Sequence, residues 1–181
     1  VRGISAYPGE FRRTQIWIGP PGATVANARF VPPPPNEVPA CLDAWEKFLH
    51  ARELPPLAQA ALLHYQFEAI HPFIDGNGRV GRLLIALFLI EREILPSPLL
   101  YLSAFFEASR RDYYDLLTGV STHGEWQPWI LYFLRGITHQ AKDARGRLEK
   151  INALRETWRK RLAFRQTTKV MKLLDRITGN P

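Results

Sequence analysis

Apolar side chains recur along this chain at helical spacing, and prolines divide the helical stretches from one another. From Glu37 to Ala51, Leu42, Trp45, Phe48 and Leu49 fall on one face. Asn36 stands where a cap belongs, and Pro55-Pro56 ends the segment. Leu57 to Ile70 repeats the pattern, with Ala60, Ala61, His64, Phe67 and Glu68 at helical intervals. Residues before proline avoid the α region, so this helix is expected to stop at Ile70, leaving His71 on a loop before Pro72. The run Leu83 to Ile90 is apolar throughout and predicts a buried helix that reaches about Glu93, where Leu95-Pro96-Ser97-Pro98 stops it. Ser103, as a cap, opens a helix predicted to run to about Val120. Its stripe of Phe106, Tyr113, Leu117 and Val120 faces the core, with Glu107, Arg110 and Tyr114 on the neighbouring face. Trp126 to about Arg161 predicts one long helix or two in series, and Met171 to Ile177 the start of another.

Alternation is confined to the N-terminal part. Arg12 to Ile18 predicts a short strand, Gly19-Pro20-Pro21-Gly22 a turn, and Ala28 to Val31 a returning strand, together a hairpin. Pro32 to Pro35 is expected as an extended polyproline II lead-in to the first helix. The fold expected is all-α, a helical bundle with a small β-hairpin.

Composition adds three points. The 181 residues suffice for one well-buried domain and a fragment of a second. The single cysteine, Cys41, has no internal disulfide partner, no secretory signal pattern is visible, and the apolar run at 83–90 is too short to span a bilayer. A cytoplasmic protein with no membrane contact is expected. The net charge of +7 is uneven: 12 of the 24 Lys and Arg, but only 4 of the 17 Asp and Glu, lie between Lys142 and Arg176. That divides the chain into a near-neutral body, residues 1–141, and a basic helical connector, residues 142–181. The connector could track nucleic-acid phosphates, although a solvated basic helix explains it more simply.

Candidate chemistry is concentrated in His71-Pro72-Phe73-Ile74-Asp75-Gly76-Asn77-Gly78-Arg79-Val80-Gly81-Arg82. The segment places a loop, then a helix N-terminus, immediately after a histidine. The first N–H groups of a helix lack intrahelical partners and carry partial positive charge, which suits an anion. Gly76 and Gly78 permit positive φ and close approach of a ligand, and Asn77 between them tolerates the left-handed region and offers a side-chain donor. Arg79 and Arg82, three apart, share a face of the first turn, and guanidinium forks match phosphate oxygens. Asp75 is a hard oxygen ligand, suited to Mg²⁺ shared with substrate phosphates. His71 has the proton affinity of a general base near neutral pH. His64 and Glu68 are i,i+4 neighbours. A second metal site is conceivable there, but a buried hydrogen-bonded support beneath the loop is the favoured reading, and no Cys/His spacing suggests zinc.

These residues resemble the Fic motif, His-x-Phe-x-Asp/Glu-Gly-Asn-Gly-Arg-x-x-Arg, at every fixed position, and the resemblance extends from about Pro8 to about Ala141. It implies a Fic-fold bundle with a hairpin flap and a protein adenylyltransferase. Such an enzyme moves AMP from ATP to a Ser, Thr or Tyr hydroxyl of a target protein and releases pyrophosphate. Under the resemblance His71 is the base, and Asp75 holds Mg²⁺ on the α- and β-phosphates. Gly76, Asn77 and Gly78 form the anion hole. Arg79 lies on the β-phosphate side, Arg82 nearest the γ-phosphate, and Val80 and Gly81 complete the ATP-binding stretch. Phe73 is a core anchor, and Tyr114 contacts the adenine side. Where relatives carry Asn-Arg before the paired tyrosines this chain has Ser109-Arg110, which leaves the base contacts open.

The resemblance also implies a target protein docked along the flap and a winged-helix domain, with possible DNA contact, beyond the connector. An inhibitory helix is expected upstream of Val1 or from a partner, because Ser121 to Glu125 has only the outer spacing of its pattern and Trp126 follows. Transfer of UMP or phosphocholine, or removal of AMP, stays open. Gly78 argues against the phosphorylating relatives, which carry lysine there.

Overall fold

The computed structural model describes residues 9–162, so the helix expected over 171–177 lies outside the described residues. A single 3₁₀ turn, Pro35–Glu37, leads into α1 (Val38–His50), followed by α2 (Pro56–Ile70) and α3 (Asn77–Glu91). Then come α4 (Leu102–Ala108), α5 (Arg110–His123) and α6 (Trp126–Leu162). The chain forms two compact units, Val1–Ile137 and Thr138–Pro181. The first holds the core. Phe106, Tyr113, Trp129 and Phe133 surround His64 of α2, whose ring stacks on Phe106 at 5.5 Å between centroids and is 98% removed from solvent. In the second, α6 carries Arg145–Glu149, Arg147–Asp143 and Arg159–Glu156 ion pairs, so part of its basic charge is matched within the helix. Among the described residues no helix is long and apolar enough to cross a membrane.

The proline-bounded helices form close to where the pattern predicts them. Asn36 does not cap α1: it sits inside the 3₁₀ turn, and α1 starts without a side-chain cap. Its C-terminal end is held instead by Gln59, which donates to the carbonyls of Phe48 (2.6 Å) and Ala51 (3.1 Å), and by Arg92, which donates to that of Leu49 (2.8 Å).

Two expectations fail for identifiable reasons. The single helix predicted from Ser103 to Val120 is two. At Ser109 (φ −118°, ψ 40°) the chain leaves helical geometry, and the Ser109 hydroxyl bonds the Phe105 carbonyl at 2.8 Å and the Tyr132 hydroxyl at 2.7 Å. A serine side chain that bonds nearby backbone competes with the helical ladder, and here it marks the break. Ser103 is likewise not a cap. It sits within α4, and its hydroxyl accepts from Arg82.

The hairpin is not formed as strands. Among the described residues only Ile18 and Phe30 pair, as an isolated antiparallel bridge with N–H···O distances of 2.8 and 3.1 Å. Prolines 20, 21 and 32 have no N–H to give, and Gln15 donates its side-chain amide to the Pro32 carbonyl instead of presenting a ladder edge.

Arg12 takes a different role from a strand residue. It is 2% exposed, its N–H bonds the Pro72 carbonyl (2.8 Å), and its Nε bonds the His71 carbonyl (2.9 Å). The same guanidinium reaches the carbonyls of Ile70 and Pro33. A cation on the last carbonyls of α2 answers the negative end of that helix and ties the N-terminal segment to the loop that follows.

Candidate functional site

The segment between α2 and α3 is fixed from both sides. On one side is Arg12. On the other is Asn77, 2% exposed, whose amide clamps Phe73: the Phe73 N–H donates to Oδ1 and Nδ2 donates to the Phe73 carbonyl, both at 2.8 Å. The Asn77 side chain thus holds the loop through Oδ1 and one Nδ2–H, a structural role that the sequence expectation of a ligand donor did not include. Phe73 packs against Phe67 and Phe11, as an anchor should.

His71 closes α2 in the left-handed region (φ 48°, ψ 61°). For a non-glycine residue that conformation costs free energy, and it persists because Arg12, Pro72 and the α2 cap over-determine it. The imidazole is half-buried, and its Nδ1–H donates to the Glu68 carbonyl at 3.1 Å. A carbonyl only accepts, so the proton sits on Nδ1 and the Nε2 lone pair is available. Burial, and then the charge of Arg12, hold the imidazole below its ordinary proton affinity, which keeps it neutral and basic near pH 7.

The α3 N-terminus lies next to it. Gly76 is the N-cap at φ 88°, and the first bond of the helix runs from Val80 N–H to the Gly76 carbonyl at 3.0 Å. The N–H groups of Asn77, Gly78 and Arg79 therefore precede the ladder, the arrangement that an anion nest requires. Only Gly76 uses positive φ. Gly78 is helical and is glycine for space: a Cβ there would stand 3.0 Å from an Arg82 amino nitrogen. A Cβ on Gly76 would stand 3.3 Å from an Arg79 amino nitrogen, so both guanidinia fold back over the glycines. Gly81 is buried where α2 meets α3, with a Cβ position 2.8 Å from Glu68 Oε1. Val80 is half-buried.

Asp75 accepts from the Gly76 N–H (2.7 Å) and from Arg79 (3.2 Å), and both side chains of that ion pair are more than half exposed. Among the described residues no three His, Cys, Asp or Glu gather around one point, so the site offers no all-protein metal cage. One exposed carboxylate beside an anion nest fits Mg²⁺ held jointly with phosphates and water. The His64–Glu68 metal alternative finds no third ligand: among the described residues no three His, Cys, Asp or Glu gather there, and His64 Nε2 is engaged with the Tyr113 hydroxyl at 3.0 Å.

A cavity of about 200 Å³ opens onto this segment, lined on the motif side by Glu68, His71, Gly78 and Arg82. Arg82 is steadied by its Nε bond to Ser103 Oγ at 3.0 Å. Tyr114 lines the cavity, exposed, edge-on to Tyr113 at 5.3 Å and with the Arg110 guanidinium 5.8 Å above its ring. Asp75, Gly76, Asn77, Arg79 and Val80 lie outside the lining of that cavity.

Sequence reasoning missed the cavity's far wall. There Tyr65 and Ser121 bond hydroxyl to hydroxyl at 2.9 Å, Leu117 and Thr118 lie between Ser121 and Tyr114, and the Ile18–Phe30 bridge forms the rim. The signal was the continuation of the Tyr114 face at 117, 118 and 121 along α5.

Residues 1–89 match the Fic/DOC family model. The protein adenylyltransferases Fic of Drosophila yakuba and Culex quinquefasciatus are each 33% identical over 127 residues. Each alignment covers 68% of this chain and 22% of the relative, so the chain spans about a fifth of their length. A Fic family protein from Desulfovibrio desulfuricans G20 superposes with a TM-score of 0.69 at 28% identity, covering 80% of this chain and 43% of that one. C. elegans Fic-1 superposes with a TM-score of 0.56 at 25% identity, covering 78% and 38%.

Proposed function

This chain belongs to the Fic/DOC family through residues 1–89, and from that premise we propose that it is a protein adenylyltransferase, moving AMP from ATP to a Ser, Thr or Tyr hydroxyl of another protein. The observation that carries the reading is the pairing of a neutral imidazole of fixed tautomer with a helix N-terminus whose free N–H groups are flanked by two arginines. A hydroxyl is too weak an acid to attack unaided near pH 7. His71 Nε2 takes its proton as the oxygen bonds the α-phosphorus and the bond from that phosphorus to the leaving pyrophosphate breaks, a contribution typically of about 10²–10⁴-fold. The Asn77, Gly78 and Arg79 N–H groups and the Arg82 guanidinium take the charge that builds on the phosphate oxygens, and their fixed positions supply much of the remainder. Arg79, released from Asp75 as the nucleotide enters, reaches the same oxygens. Asp75 would then hold Mg²⁺, which when bound neutralises phosphate charge. Tyr114 and the Tyr65–Ser121 wall border the space left for the base.

The target enters along the rim. Beside the Ile18–Phe30 bridge, an extended target strand would pair with those backbone groups that neither proline nor a side-chain bond removes, so that main-chain bonds carry its hydroxyl to His71. The competing donors are UTP and CDP-choline. The test incubates the protein and a lysate with ATP, UTP or CDP-choline and Mg²⁺ and reads the mass added to modified proteins. Addition of one AMP moiety with ATP as the preferred donor is expected; a UMP or phosphocholine increment would overturn the adenylyl assignment.

A further inference from the structure

Glu68 is a carboxyl group to which the mechanism above gives no task. It sits one turn before His71 on α2 and lines the cavity, and its Oε1 is buried without a hydrogen-bond partner. It is pressed against the first turns of α3. The Cβ position of Gly78 is 3.7 Å from this oxygen and that of Gly81 only 2.8 Å, so the two glycines make room for the carboxyl directly behind the free N–H groups. The charged and titratable groups facing it are Arg82 from α3, Tyr113 from α5, whose hydroxyl is held by His64, and neutral His64 on its own helix. Burial raises its pKa to about 7, with Arg82 opposing that rise.

A polyphosphate placed on this N-terminus brings several negative charges up to a buried carboxylate, and like charges at such range disfavour ionisation of the weaker acid. The acid form also carries an O–H donor where the carboxylate only accepts. We propose that Glu68 is the proton-taking member of the anion site: a polyphosphate settles on the α3 N-terminus together with one proton from solvent, which comes to rest on the Glu68 carboxyl. The inference rests on the triphosphate reading of the same site. The bound state holds the extra proton, so affinity is greatest below pH 7 and falls as pH rises above it, by up to about tenfold per unit.

The test is calorimetry of the full chain at pH 8 with Mg²⁺ and the α,β-methylene analogue of ATP, which cannot be cleaved at the α-phosphorus. Repeating it in two buffers of different ionisation enthalpy gives the protons taken up per nucleotide. Wild type is expected to take up roughly half to one proton, and His71→Ala the same. The isosteric Glu68→Gln is expected to take up none, to bind several-fold more tightly at pH 8, and to lose the pH dependence above 7. Wild-type binding without proton uptake overturns the inference without need of any variant, as does undiminished uptake by Glu68→Gln. Either result leaves the adenylyltransferase reading standing. Failure of wild type to bind the nucleotide at all would overturn both.

Discussion

Arg12 and Asn77 hold the reactive loop by opposite strategies. Arg12 brings a buried charge to carbonyl oxygens alone, with Nε on the His71 carbonyl and its own N–H on that of Pro72. Replacing it by Gln keeps the backbone bond to Pro72 but strands the His71, Ile70 and Pro33 carbonyls that the guanidinium serves, and bonds from charged groups are worth about 1.5–3 kcal/mol each. Arg12→Gln should therefore lower unfolding free energy by a few kcal/mol in urea titrations. Its charge also holds the His71 pKa down, so its loss raises that pKa, and the acid limb of the pH–rate profile should move to higher pH. Arg12→Lys keeps the charge without the fork, and should recover the pH limb better than the stability. For Asn77, Ala leaves the Phe73 N–H and carbonyl buried and unpaired, at roughly 2–4 kcal/mol. Asp retains an acceptor for the N–H but sets an oxygen against the carbonyl, so Asn77→Asp should be rescued in part by lowering the pH, as read by melting temperature. Neither role was legible from sequence. The Ile70 and His71 carbonyls that Arg12 reaches lie 58 and 59 residues away, and nothing in the sequence around Asn77 announces its two bonds to Phe73.

The glycines of α3 separate function from packing at the scale of the helix. Gly81→Ala drives a Cβ into Glu68 Oε1 (2.8 Å), Phe67 (3.2 Å) and the His64 ring (3.3 Å), and must push α3 off α2. It should cost about 1–3 kcal/mol of stability. Gly78→Ala meets chiefly the terminal amino group of the Arg82 side chain, not packed core, and has ordinary helical φ. It should leave the melting temperature nearly unchanged while filling the nest and displacing Arg82, with transfer activity down by tenfold or more. Equal loss of stability in the two variants would contradict this division. The helices flanking these glycines were legible because prolines and an apolar run bound them. The break between α4 and α5 was not, because the Ser109 hydroxyl that marks it bonds Tyr132 on a distant helix. The hairpin reads as two strands because its residues are good strand formers, yet a single bridged pair forms when flanking prolines and side-chain bonds take up the backbone.

For the molecule as a whole, the buried carboxyl of Glu68 ties stability to pH. Its folded pKa, about 7, lies above the value expected of an exposed glutamate. The folded state therefore holds more protons than the unfolded one between those two values, and stability from this group falls as pH rises toward 7. Glu68→Gln should raise the melting temperature at pH 8 and change it little near pH 4. The candidate segment was legible because it is contiguous, twelve residues from His71 to Arg82. The cavity was not, because α2, α5 and the Ile18–Phe30 rim meet only in three dimensions. The most direct test of the central claim, that His71 Nε2 is the base working beside a nucleotide-binding helix N-terminus, is label transfer from α-labelled ATP with Mg²⁺ in a lysate. Wild type should label protein, and His71→Ala should still bind ATP but transfer nothing above background. Undiminished labelling by His71→Ala would contradict it.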